Sequence, residues 1–189
     1  MERPSQRPAG DARQEFRGAA GHLASGVAVV VAMVGGTPHT ATASSAVVAS
    51  VEPPLVALFF AVGSRMHGAL AAGNGFTVNV LGEADHGLAR RFADPARVGG
   101  WPGFAGLDLV RRDPAPPVLA RAAAWFDCRL REVVPTGDHA CFVGAVVASG
   151  RDLDATPLLY HRGRFHGLGW PVAPARWSAL DRSDLAADW

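Results

Sequence analysis

Apolar residues fall in short runs bounded by glycine or proline, which predicts a chain built mostly of β-strands. Residues 27–34 are almost all β-branched or small and apolar, so they predict a strand buried on both faces. Two glycines then predict a turn, and residues 37–50 predict one or two returning strands. A proline pair precedes residues 55–62, which predict a further buried strand.

Alternation with a period of two predicts which way the side chains of later strands point. In residues 76–81, Phe76, Val78 and Val80 share one face, and Thr77, Asn79 and Leu81 share the other. In residues 124–134 we expect three side chains to point inward (Phe126, Cys128 and Leu130) and three to point outward (Asp127, Arg129 and Arg131). Residues 140–149 predict another apolar strand, and a last short strand runs through Phe165.

Three short helices are predicted between these strands. One begins near Asp11 and ends by Gly26, with a buried face formed by Phe16, Ala19, Ala20 and Leu23 at helical spacing. A second follows Ser64, which stands at the N-cap position, and a third spans residues 83–92. Residues 98–117 are rich in glycine and proline and predict a long ordered loop.

The 189 residues fit a single domain with a substantial core. We expect residues 1–11 to be flexible, residues 12–169 to form the domain, and residues 170–189 to form a C-terminal tail without an assigned role. Six or seven strands with two or three helices suit a closed or nearly closed barrel, which leaves few exposed strand edges.

Composition narrows the classes of partner. The formal net charge is +1 and there is no long basic run, so nucleic acid is not an expected partner. No apolar run approaches the roughly 18 residues of a membrane span, and no secretory signal is visible, so we expect a cytoplasmic protein. Cys128 and Cys141 are interpreted as reduced core residues.

Small hydroxyl residues cluster before the proline pair, at Thr40, Thr42, Ser44, Ser45 and Ser50. Small residues allow a flat ligand to approach the backbone, where main-chain N–H groups and hydroxyls can donate hydrogen bonds to it. The cluster therefore suggests a cofactor bed. The alternative is that threonine and serine simply suit a half-exposed strand.

Several segments, in order, resemble the flavin reductase family, the flavin-binding split barrels that supply reduced flavin to two-component monooxygenases. They are Thr42-Ala43-Ser44-Ser45 followed by Ser50 and Pro53-Pro54-Leu55-Val56, then GFTVNVL at 75–81, GDH at 137–139 and PLLYHRGRF at 157–165. The first segment departs from the family pattern, because Ser44 replaces an Asn, Ala46 a Phe, Val48 a Ser and Ala49 a Val. The resemblance covers residues 16–168.

This resemblance implies a mainly β fold, a Greek-key split β-barrel (FMN-binding split barrel) with a few short peripheral helices, forming a homodimer with flavin near the interface. It implies NAD(P)H-dependent reduction of FMN or FAD, with reduced flavin supplied to a separate monooxygenase. Two alternatives stay open: an oxidoreductase that keeps FMN tightly bound and reduces another acceptor, and a non-catalytic flavin-binding or electron-transfer protein. The choices between FMN and FAD and between NADH and NADPH also stay open.

The resemblance also assigns residues. It implies that flavin contacts Thr42, Ala43, Ser44, Ser45, Ser50, Val51, Ser64, Arg65, Arg91, Phe92 and Arg162, and it places His139 beside the nicotinamide as the catalytic candidate. Ser64 and Arg65 open a helix, where N–H groups and the helix dipole favour a phosphate.

Other interpretations remain for some of these residues. Ser64 and Arg65 could be an ordinary cap beside a solvated side chain, and His139 could be a turn residue tied to Asp138. His161 and His166 lack a cysteine or carboxylate at ligand spacing, so no metal site is expected.

Overall fold

The computed structural model describes residues 9–112 and 115–169. Within these residues three α-helices form, α1 (Ala9–Ala20), α2 (Arg65–Ala72) and α3 (His86–Ala93), with short 3-10 helices at Glu83–Asp85 and Trp101–Phe104. The strands are β1 (Ser25–Gly26), β2 (Ala28–Val34), β3 (Thr37–Ala43), β4 (Ala46–Ser50), β5 (Leu55–Ala61), β6 (Gly75–Val80), β7 (Leu109–Arg112), β8 (Ala115–Leu119), β9 (Ala124–Thr136), β10 (His139–Arg151), β11 (Leu159–His161) and β12 (Arg164–His166).

Seven strands form one antiparallel sheet in the order β3-β2-β6-β9-β10-β5-β4. Its two outer strands, β3 and β4, are joined in the chain by Ser44 and Ser45 alone. Because two residues span only about 7 Å when extended, the sheet must curl until its edges lie side by side without pairing. The result is the mainly β split barrel that was predicted, with the split at the hydroxyl-rich segment.

Both faces of the sheet carry a core. Phe76, Leu58 and Phe142 belong to a buried cluster on one face, and Val29 and Leu119 to a second cluster on the other. β2 contributes to both clusters, as its unbroken apolar run predicted.

Two buried polar residues hold β8 over the sheet. The Thr77 hydroxyl donates to the Pro117 carbonyl oxygen at 3.0 Å. The Asn79 side chain donates to Val29 O (3.1 Å) and accepts from Leu119 N–H (2.8 Å). Their polar groups are therefore satisfied in the core, as buried groups must be.

Helix α1 differs from its prediction. It begins at Ala9 rather than Asp11 and ends at Ala20, well before Gly26. Its expected buried face is wrong for the single chain, because Phe16 is 73% exposed and Leu23 is 78% exposed. An amphipathic pattern indicates that one face of a helix is apolar, but it does not indicate which part of the molecule packs against that face. The predicted flexible segment overlaps α1 at its end; residues 1–8 and the predicted tail at 170–189 lie outside the described residues.

Two further expectations about the second half of the chain are corrected. The predicted loop at 98–117 contains the 3-10 helix Trp101–Phe104, β7 and most of β8. Strands β7 and β8 pair with each other as a two-stranded sheet. Asp127, expected to point to solvent, is buried beneath this hairpin, where its carboxylate lies 3.4 Å from Arg112. Alternation distinguishes the two faces of a strand, but a covered outer face is as buried as the inner one.

Both cysteines are free and buried, as predicted. Burial, with a smaller contribution from Asp127, raises the pKa of Cys128 to about 12, so its thiol stays protonated. Among the helices in the described ranges, none has both the length and the apolar character of a membrane span.

Candidate active site

A groove opens beside the split in the barrel, between the end of β3 and the β11–β12 hairpin. Its first part has a volume of about 340 Å³ and its second about 330 Å³, and the two share Ser44, Tyr160 and Gly163. The first part is lined in addition by Val27, Thr42, Arg90, Ala93 and Phe165, and the second by Ala20, Gly21, Leu23, Ser25 and Arg162. Three of the predicted site residues, Thr42, Ser44 and Arg162, therefore meet in one concave surface of ligand size.

The hydroxyl groups of the predicted cofactor bed differ in their hydrogen bonds. Thr42 Oγ1 donates to the Ala89 carbonyl oxygen at 2.7 Å and ties α3 to β3. Ser45 Oγ donates to the Phe59 carbonyl oxygen at 3.0 Å and ties the corner to β5. The Ser44 side chain is exposed in the groove and makes no hydrogen bond to any other described residue. Ser44 is thus the hydroxyl of this corner that is available to a ligand.

The remaining residues of the predicted bed do not line the groove. Ala43 is buried in the inner core. Ser50 ends β4 opposite Leu55, and Val51 is exposed in the turn that follows. Flavin contact by these residues stays a prediction.

Two aromatic side chains, Tyr160 and Phe165, line the groove together with Ser44. The rings of Tyr160 and Phe165 lie 5.6 Å apart, and the Arg90 guanidinium lies 5.9 Å from the Phe165 ring centre. A flat ligand entering the groove would meet an aromatic surface on one side and a cation at its rim.

Arg91 and Phe92 were assigned to flavin binding from the sequence, but neither residue of α3 lines the groove. The Arg91 guanidinium donates to the carbonyl oxygens of Gly103 (2.8 Å) and Ala105 (3.2 Å), and Phe92 is a buried core residue. Arg90 and Ala93 are the residues of this helix that line the groove, and Arg90 is the charged one. Side chains at neighbouring helical positions point about 100° apart. Which of two adjacent arginines faces the groove therefore depends on where the helix lies relative to β3, and the local sequence does not show this.

A second, smaller cavity of about 170 Å³ lies farther back along β3, at the N-terminus of α2. It is lined by Pro38, His39, Thr40, Arg65, Met66, Arg97, Gly99 and Gly100. Ser64 caps α2, since its Oγ accepts from His67 N–H at 3.2 Å, as predicted. Arg65 donates to the Pro95 carbonyl oxygen at 2.6 Å. The cavity thus joins two guanidinium groups to a helix N-terminus, the elements of an anion site.

Arg97 was missed in the sequence analysis, which placed Thr40 in the hydroxyl cluster without assigning it to an anion site. Arg97 Nε donates to the Thr40 carbonyl oxygen at 2.9 Å, and Arg97 Nη1 donates to the Asp94 carbonyl oxygen at 3.0 Å. Desolvation, and then the nearby charge of Arg65, lower the pKa of Arg97, while Asp94 opposes them. Thr40 is only 8% exposed, yet its hydroxyl makes no hydrogen bond to any other described residue. A bound anion would relieve the repulsion and satisfy the hydroxyl.

His139 stands outside the groove, at the first position of β10. Its Nδ1–H donates to the Asp138 carboxylate at 2.7 Å, which leaves Nε2 free to face a ligand. This hydrogen bond, with the charge of the ring, lowers the pKa of Asp138. His139 pairs with Ala61 on one side of β5, and Ser45 binds Phe59 on the other. Two strand spacings, about 10 Å, therefore separate His139 from the hydroxyl corner.

No cluster of histidine, cysteine or carboxylate side chains within residues 9–112 and 115–169 has the geometry of a metal site. His161 does lie near two other histidine rings, at 5.9 Å from both His22 and His166 between ring centres.

Comparison with known proteins identifies the family of the chain. Residues 20–169 match the family described as flavin reductase like domain. The reductase component of 4-nitrophenol 4-monooxygenase/4-nitrocatechol 2-monooxygenase from Rhodococcus opacus is 36% identical over 165 residues, covering 87% of this chain and 85% of that protein. An NADPH-flavin oxidoreductase from Streptomyces viridifaciens is 36% identical over 159 residues, covering 82% and 80%.

A solved structure gives the same answer. The Streptomyces globisporus C-1027 NADH:FAD oxidoreductase SgcE6, in complex with NAD and FAD fragments, matches with a TM-score of 0.78 and 29% identity, over 90% of this chain and 100% of that one. The chain belongs to the flavin reductase-like family. The predictions of an NAD(P)H:flavin oxidoreductase, with flavin and a nicotinamide nucleotide as its cofactors, are confirmed.

Proposed function

We propose that this chain uses NADH or NADPH to reduce FMN or FAD and releases the reduced flavin to a separate monooxygenase. The observation that carries the proposal is the arrangement along β3, where the groove at Ser44 and the anion cavity at Thr40 lie four residues apart. Four extended residues span about 13 Å. That length suits a ligand with a flat ring at one end and a phosphate at the other.

The groove fits the ring end of a flavin. Ser44 offers an unpaired hydroxyl to the polar edge of the ring, while Tyr160 and Phe165 offer an aromatic face. Arg90 at the rim would stabilise the negative charge that a reduced flavin carries. Arg162 lines the second part of the groove, where it would hold a phosphate of the dinucleotide.

The anion cavity fits the phosphate end. Arg65, Arg97 and the first N–H groups of α2 would donate hydrogen bonds to phosphate oxygens, and the Thr40 hydroxyl would supply another. Ser64 caps the helix, since its oxygen accepts from His67 N–H, and its O–H would stay available to donate to a phosphate oxygen.

When bound, the flavin supplies the hydride-accepting chemistry, and the protein positions the two nucleotides. His139 and the hydroxyl corner flank β5, about 10 Å apart, so a ring lying over the face of β5 would be within reach of both. His139 would then donate from Nε2 to the nicotinamide carboxamide, with Asp138 fixing the orientation of the ring.

We also assign a homodimer to this protein. The edge strand β4 exposes Val47 and Val48, and the turn after it exposes Val51. An apolar strand edge left in solvent would favour aggregation, and a second copy of the chain would cover it. Since this edge borders the split, the second copy would stand beside the flavin.

The experiment is a purification followed by steady-state kinetics. We expect a protein that loses its flavin on gel filtration, and NADH or NADPH oxidation that rises with added FMN or FAD until it saturates. Stoichiometric flavin that survives gel filtration, with turnover only when another acceptor is added, would favour a tightly bound cofactor. Flavin binding without turnover would favour a non-catalytic flavin-binding or electron-transfer protein.

A further inference from the structure

A third cavity lies under the β7–β8 hairpin, at the opposite end of β2 from the groove. Its volume is about 440 Å³, within the range of small-molecule sites. Its walls are formed by Met33, Asn74, Gly75, Ala115, Pro116, Asp127, Cys128, Arg129 and Val147. Val27 lines the groove and Met33 lines this cavity, so six strand residues, about 20 Å, separate the two.

Asp127 is the unexplained group in this cavity. Its side chain is 9% exposed, and it accepts no hydrogen bond from any described residue. A carboxylate has room for about four hydrogen bonds, so Asp127 can accept further bonds from a ligand in the cavity. Desolvation raises its pKa, against a smaller opposing effect of Arg112.

Arg112 does not satisfy this carboxylate. Its Nη1 lies 3.4 Å from Asp127 Oδ2 without hydrogen-bond geometry, and among the described residues this buried nitrogen has no hydrogen-bond partner. The guanidinium is held over the Trp125 ring, 4.6 Å from the ring centre. The cation is therefore close enough to balance the charge of Asp127, and an acceptor position on the carboxylate stays open to the cavity.

These charges decide the class of ligand. An ammonium group at Asp127 would be repelled by the positive charges of Arg112 and Arg129. A ligand carboxylate would be repelled by the negative charge of Asp127 itself. A neutral hydroxyl can donate to Asp127 without either repulsion. Met33, Pro116 and Val147 supply apolar walls, and the Met33 thioether favours an aromatic body.

We propose that this cavity is a second binding site, separate from the flavin groove, for a small neutral phenol whose O–H donates to Asp127. The ring lies between Met33, Pro116 and Val147. The site does not depend on the proposed reductase activity, because it shares none of its lining residues with the groove.

Isothermal titration calorimetry of the full chain tests the site, with phenol and anisole as probes. Anisole has the same ring and oxygen but no O–H donor. We expect saturable phenol binding at about one site per chain, and anisole binding at least about tenfold weaker, because the hydrogen bond to the carboxylate is lost. Equal affinities for the two compounds, or no saturable heat with phenol, would overturn the proposal.

Two variants and one control variant locate the binding. Val147→Trp fills the cavity from its exposed wall and should abolish phenol binding, while Val98→Trp, an equally exposed valine elsewhere, should leave it unchanged. Asp127→Asn should weaken phenol binding about tenfold and reduce the preference over anisole. Saturating FMN should not displace phenol. Phenol binding that survives in Val147→Trp, or that FMN abolishes, would show that the probe binds elsewhere.

Discussion

Arg97 Nε donates to the main-chain carbonyl oxygen of Thr40 at 2.9 Å, across 57 positions of sequence. This hydrogen bond places the Arg97 guanidinium beside Arg65, in a cavity that also contains the free Thr40 hydroxyl. Two cations held together by backbone carbonyls repel one another, and an anion between them removes that cost. The anchoring of Arg97 therefore supports the proposal that β3, rather than a separate phosphate-binding loop, holds the nucleotide phosphate.

Ser44 and Ser45 should separate binding from stability. Ser44→Ala removes the free hydroxyl and should raise the flavin KM about fivefold, the value of one neutral hydrogen bond, without changing the melting temperature. Ser45→Ala removes the bond to Phe59 and should lower the melting temperature by about 3 °C while the KM stays near wild type. Steady-state kinetics and thermal unfolding measure both. Equal effects of the two variants on KM would contradict the assignment.

Arg90 and Arg91 form a matched pair on one helix. Arg90→Ala should raise the flavin KM about tenfold, because a cation at the rim of the groove is lost. Arg91→Ala should lower the melting temperature by about 3 °C or more, because two carbonyl oxygens lose their donor. A larger KM effect for Arg91 would restore the sequence-based choice and remove Arg90 from the site.

His139→Ala should lower NADH oxidation at saturating flavin about tenfold, since a hydrogen bond to the nicotinamide is lost. Asp138→Asn keeps the ring but weakens its orientation, so an intermediate rate is expected. His86→Ala, on the exposed start of α3, is the control. If the rate of His139→Ala at saturating flavin equals that of wild type, His139 is a turn residue and has no part in the reaction.

The edge strand predicts the oligomeric state. Val48 is 53% exposed on β4, so Val48→Asp should convert a dimer into monomers by burying a charge at the interface. Val110→Asp, at a similarly exposed position on β7, should leave the dimer intact. Light scattering after gel filtration gives the mass of each variant. A wild-type monomer, or a dimer that survives Val48→Asp, would place the interface elsewhere.

Much of the fold could be predicted because its signals are local. The apolar run of β2 and the alternation of β6 identify their strands directly, and Ser64 marks the start of α2. The β7–β8 hairpin was missed because its second strand contains two prolines. β8 tolerates them because, among the described strands, it pairs only with β7, as an edge strand of a two-stranded sheet.

The site was predicted less completely, because its partners are distant in sequence. Thr42, Ser44 and Arg162 were found from motifs and do share the groove. Arg97 has no local signal, since its role depends on a hydrogen bond to Thr40 on another element. Asp127 was placed in solvent because alternation cannot show that a hairpin covers the outer face of the sheet.

The most direct test compares FMN with riboflavin, which has the same ring without the phosphate, as substrates of wild type and Arg97→Ala. If Arg65 and Arg97 bind the phosphate, wild type should show a KM for riboflavin at least about tenfold above that for FMN, and Arg97→Ala should lose most of this difference by raising only the FMN value. Arg131→Ala, an exposed arginine on β9, should keep the difference. An unchanged ratio of the two KM values in Arg97→Ala would contradict the account.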